Sequence, residues 1–119
     1  MSLNVAQLAT KLKGAVQFLK VRTLPTATDY FEAVLGRSDL QRCAALLVEA
    51  LGPPAKDFDQ AAAFEPKIRK AIDTIGGIQH DQCLFLNHED PTRLGYAALW
   101  PWASNPERIT LKVGMIAVR

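Results

Sequence analysis

The chain has 119 residues, of which 49% are hydrophobic and 22% charged, with a formal net charge of +2. This length suits one domain with a core of its own, and the composition excludes a disordered chain. So small a net charge forces no partner, and no apolar run approaches the ~18 residues that span a membrane. The N-terminus reads as free of a secretory pattern, so Cys43 and Cys83 are expected to be reduced thiols of a cytoplasmic protein.

Charge is uneven along the chain. Residues 1–28 hold four basic groups and no acid, residues 29–65 hold three basic and seven acidic groups, and residues 66–119 hold seven and five. A basic first segment beside an acidic middle is the pattern of an internal or subunit-to-subunit complement.

In chain order, Val5, Leu8, Leu12, Val16 and Leu19 step by three and four residues, which predicts an amphipathic helix over residues 3–20. Lys11, Lys13, Lys20 and Arg22 flank that stripe. Long basic stems suit a helix docked on a core; a nucleic-acid or anionic-membrane contact is the weaker alternative. After Pro25, a second helix is expected, capped by Thr26 or Thr28 and carrying Tyr30, Phe31, Val34 and Leu35, with Gly36 as a left-handed cap. Ser38 and Gln41 have the spacing of a capping box for a third helix, whose face is Leu40, Cys43, Ala44, Leu47 and Leu51. Gly52-Pro53-Pro54 stops it.

Helix, glycine turn, helix must be tested as a DNA-reading helix-turn-helix, and the test fails. Glu32 and Arg42 stand where that motif needs a small and an apolar residue, and Asp39 and Glu49 repel phosphate. A plain αα-hairpin is the expectation. A loose helix over Asp57–Phe64 follows, and then Pro66 opens a helix with Ile68, Ala71, Ile72 and Ile75 on one face, ended by Gly76-Gly77. Glycines after a helix are a cap, whereas a phosphate-cradling loop needs them before one.

Residues 82–87, 94–100 and 109–118 read as three strands with short polar connections, which predicts an antiparallel meander. In the last strand Ile109, Leu111, Val113, Met115 and Ala117 form one face, while the other turns apolar at Ile116 and Val118. One end of the sheet therefore needs cover on both faces. An apolar strand at the end of a chain is also a pairing hazard, and this points to a homodimer.

Candidate chemistry is sparse. His80, Cys83 and His88 lie close in sequence, but on an extended segment Cys83 points away from both histidines, and the histidines stand too far apart to share an ion. Cys43 falls on an apolar helix face, as a core thiol does. Tyr96 and Trp100 share a strand face, and Trp102, in the loop Pro-Trp-Ala-Ser-Asn-Pro, is the aromatic expected to stand exposed. Few basic residues accompany them, which disfavours nucleic acid.

The expected architecture is a single α+β domain over residues 1–119: about four N-terminal helices packed on a C-terminal three-stranded antiparallel β-meander. The expected function is a small non-enzymatic protein-interaction or regulatory module acting as a homodimer, with Trp102, Trp100, Tyr96, Met115, Ile116 and Val118 as contact residues. A ligand-binding protein or enzyme, with a pocket near Tyr96, Trp100, Cys83 and His88, is the alternative. No catalytic residue, metal ligand or cofactor is assigned.

Overall fold

Asn4 starts the first helix: its side-chain oxygen accepts from the Gln7 backbone N–H at 3.0 Å, satisfying one of the unpaired donors of a helix start. The computed structural model describes residues 4–22, 30–61, 63–88 and 92–118. Helix α1 (Val5–Ala15) buries Val5, Leu8, Ala9 and Leu12. It stops five residues short of the predicted end, because Val16 is extended (φ −113°, ψ 131°) and Phe18–Arg22 forms strand β1. Gly14 weakens the helix there, and β-branched and aromatic residues follow.

Tyr30–Gly36 is strand β2, not the predicted helix. Phe31, Ala33 and Leu35 are buried while the residues between them are half-buried, a period of two. Seven residues with apolar groups at 30, 31, 34 and 35 fit either period, and strand pairing on both sides decides it. Gly36 is accordingly extended (φ −81°), and no αα-hairpin forms. The caps expected of Thr26 and Thr28 lie outside the described residues.

A 3-10 turn, Arg37–Asp39, then leads into α2 (Leu40–Leu51), which buries Cys43 and Leu47. Ser38 sits inside that turn, so the predicted capping box is absent, and Asp39 precedes the helix without a side-chain cap bond. Gly52 at φ +86° ends α2 as expected.

The loose helix predicted over Asp57–Phe64 is not seen in its described residues; Lys56 instead bridges to Leu84. Helix α3 (Pro66–Asp73) starts on its proline, and the turn after it uses Gly76 at φ +107° and Gly77 at φ +76°. Strands β3 (Cys83–Asn87), β4 (Arg93–Pro101) and β5 (Arg108–Ala117) form the predicted meander.

That meander is part of a larger sheet. The five strands run in the order β1-β2-β5-β4-β3, every pair antiparallel. The class remains α+β, with three helices and five strands in place of about four helices and three strands. The terminal strand β5 lies at the centre, paired with β2 and β4, so it is no exposed edge and the dimer argument built on it falls.

Helices cover both sheet faces. On the first, α1 and α2 pack on Phe31, Ala33, Leu35, Phe85, Leu99 and Leu111. On the second, Ala71 and Ile72 of α3 pack with Leu84, Leu86, Leu94, Tyr96, Ala98 and Ile116. The apolar turn of Ile116 and Val118 thus meets the cover it requires.

Candidate functional site

The second face is only half covered. The core beneath α3 draws its sheet residues from β3, β4 and the end of β5, and none from β1 or β2. Opposite residues of an antiparallel pair share a face, so the pairs Lys20–Val34, Arg22–Glu32, Val34–Thr110 and Glu32–Lys112 place six side chains on the open half. Trp102 leans into it from the β4–β5 turn.

Trp102 is held at two points. Its backbone N–H donates to the Arg108 carbonyl at 2.9 Å, and its ring Nε1–H donates to Thr110 Oγ1 at 2.8 Å. So anchored, the indole is still 41% exposed, as the sequence suggested. Lys20, Arg22, Glu32, Val34, Trp102 and Thr110 line a shallow groove of about 180 Å³. Arg22 Nη1 stands 3.7 Å from Glu32 Oε2, and the Tyr30 hydroxyl donates to Glu32 Oε1 at 2.5 Å. Burial, then the contact with Glu32, pushes the Tyr30 hydroxyl well above the usual tyrosine range, so it stays a protonated donor.

Trp100 marks the boundary with the covered half. Lys112 Nζ lies 3.9 Å from its ring centroid, a cation–π distance, and the Gly76 turn closes on it so tightly that a Cβ there would stand 3.1 Å from the ring. Trp100 Nε1 is buried without a hydrogen-bond partner. Buried Tyr96 and half-buried Tyr30 meet over Gly114, where a Cβ would stand 3.0 Å from the Tyr96 hydroxyl and 3.2 Å from Tyr30 Cδ1.

The basic residues read as one helix are split between two elements. Lys11 and Lys13 stay on α1, the first 3.8 Å from Glu49 of α2 and the second 5.5 Å above the Phe31 ring. Lys20 and Arg22 move to β1 and join Trp102. Met115 packs half-buried against the first core, and buried Ile116 and half-buried Val118 pack in the core under α3, away from the Trp102 groove.

The pocket expected near Tyr96, Trp100, Cys83 and His88 is not assembled. Cys83 belongs to the core under α1 and α2, Tyr96 and Trp100 to the core under α3, and His88 to a separate cleft with Phe64, Glu65 and Ile68. Among the described residues, no three His, Cys, Asp or Glu groups gather as metal ligands do. Both cysteines are free and buried. Burial, reinforced by Asp39 for Cys43 and Asp57 for Cys83, pushes each thiol up to about 12, the opposite of an activated nucleophile.

Sequence reasoning missed Lys56. Although charged, it is 2% exposed, and its ammonium donates to the carbonyls of Asp57 (3.0 Å), His80 (2.8 Å) and Gln82 (2.5 Å). Three donors meet three main-chain acceptors, a closed structural tie. A lysine after Gly-Pro-Pro-Ala carries no local signal of this, since two of its acceptors lie more than twenty residues away. Among the described residues, no helix is long and apolar enough to cross a membrane. Comparison with known proteins adds no relative: no family model, curated protein or solved structure matches the chain.

Proposed function

We propose that this protein is a non-enzymatic protein-interaction module that receives its partner on the open half of the sheet, at β1 and the Trp102 groove. The observation that carries this reading is the meeting of Lys20, Arg22 and an anchored, exposed indole beside an edge strand whose Leu19 and Val21 are 54% and 41% exposed. Exposed apolar groups on an edge strand are a liability unless a partner uses them, and an aromatic ringed by polar groups is the usual anchor of such a contact. Single-stranded nucleic acid wants successive stacking rings, and Trp102 is the exposed one among the nine aromatic side chains.

A homodimer through the same open half is the competing form of this reading, since β5 lies at the sheet centre and offers no edge. The test is photo-crosslinking from position 21, with position 48 on α2 as control, joined to sedimentation velocity. A partner that is identified, purified and shown to bind, and that loses affinity with Trp102→Ala, supports the reading. A self-associating species that dissociates with Trp102→Ala supports its dimeric form. Binding that maps to α2 and ignores Trp102→Ala overturns the proposal.

A further inference from the structure

Among the described residues nothing pairs with the outer edge of β1, which is the last strand in the sheet order beside β2. An open edge offers main-chain N–H and C=O groups to an extended segment, and the side chains beside it set which segment fits. On β1 those side chains alternate. Lys20 and Arg22 point to the groove face, and Val21, paired with Ala33, points to the other. A register shift between Phe18 and Lys20 limits the regular edge to the residues after it.

Resting on the module reading above, we infer that the occupant is an extended segment of another protein with acidic residues at alternate positions, added to the sheet as a sixth strand along β1. Its acids stand across from Lys20 and Arg22 and its intervening apolar residue across from Val21. Its groove-side groups lean towards Trp102 and Val34. Glu32 is the one acid lining the groove, and it is engaged by Tyr30 and Arg22.

A second copy fits this edge poorly. Two-fold antiparallel pairing of the regular part of β1 sets Lys20 of one copy against Lys20 or Arg22 of the other on the same face, and like charges directly opposite destabilise a strand pair. The acid–apolar–acid triplet of this chain, Asp57-Phe58-Asp59, is not free to serve either. The Asp57 carbonyl holds the Lys56 ammonium, the Asp59 N–H donates to the His80 carbonyl at 2.8 Å, and Asp59 sits at φ +58°, which no strand adopts.

The probe is a capped heptapeptide alternating glutamate and valine, titrated into the full chain and followed by tryptophan fluorescence and by amide shifts of β1. Three controls accompany it: lysine in place of glutamate, the glutamates made contiguous, and alternate backbone nitrogens methylated. Saturable binding is expected for the alternating acidic peptide, with shifts centred on Lys20–Arg22. Binding should weaken at least about tenfold with Lys20→Glu/Arg22→Glu, and comparably with methylation, which removes the edge hydrogen bonds. Lys20→Gln/Arg22→Gln serves if the charge reversal disturbs folding, which circular dichroism reads.

Equal binding of the lysine or methylated peptide, or none up to millimolar concentration, overturns the acidic strand. If the position-21 partner still binds and still needs Trp102, the module reading survives that failure. A dimer that dissociates with Lys20→Glu/Arg22→Glu replaces the acidic segment with a second copy.

Discussion

The two edges of this sheet each carry a lysine and use it in opposite ways. At the β3 edge, Ala55 and Lys56 run alongside Leu84 with main-chain bonds of 2.8–3.2 Å, and the Lys56 ammonium turns inward onto three carbonyls. That edge is closed, and its face is covered by α3. At the β1 edge, Lys20 and Arg22 point to solvent over a bare half-face beside Trp102. A buried ammonium is tolerable only when every donor is satisfied, whereas an exposed one keeps an open edge soluble while leaving it available. The first edge is closed by main-chain and ammonium bonds, and among the described residues the second is left open.

Breaking the closed edge should have the largest effect. Lys56→Met removes the ammonium that ties the carbonyls of Asp57, His80 and Gln82 together and should lower stability by about 3 kcal/mol, read as a shift of the urea midpoint. Gly114→Ala acts at the seam between the two halves. Its new Cβ would crowd both Tyr96 and Tyr30, and overpacking of this kind should cost about 1–2 kcal/mol by thermal unfolding.

The buried thiols give a pH test with a definite sign. Each has a folded value near 12 against an ordinary 9.0, so between those values the unfolded chain releases protons that the folded chain keeps. Stability should fall as pH rises across that window, and Cys43→Ala/Cys83→Ala should flatten the fall in urea titrations at successive pH values. The same burial predicts that neither thiol reacts with a disulfide reagent at pH 8 until the chain unfolds.

The open edge should respond least in stability. Lys20→Glu/Arg22→Glu should shift unfolding by no more than about 0.5 kcal/mol, because exposed ion pairs contribute little, while abolishing the acidic-strand binding. Hydrogen exchange sharpens the contrast: the Leu84 amide, which donates to the Lys56 carbonyl at 2.8 Å, should exchange far more slowly than those on the outer edge of β1.

Legibility in the sequence followed the same division. The meander was readable because Ile109, Leu111 and Val113 alternate cleanly and turn-forming residues bound each strand. Helix α3 was readable because Pro66 and Gly76-Gly77 punctuate it. Of the site, Trp102 was readable as an exposed aromatic. Its partners were not, since Lys20 and Arg22 continue a helical stripe and become groove residues only when Phe18–Arg22 pairs with Tyr30–Gly36.

The sequence by itself determined the α+β class, the three C-terminal strands, and the faces of α2 and α3, because side-chain period and capping residues are local properties. Tertiary structure decided that residues 18–22 and 30–36 are strands, that β5 lies inside the sheet, and that Lys56 is buried. Each of these depends on a main-chain partner distant in sequence, such as Ala33 beside Leu111 or the Lys56 ammonium on the His80 carbonyl. Local pattern offers both periods for a short apolar stretch, and the hydrogen bonds of the assembled sheet select one.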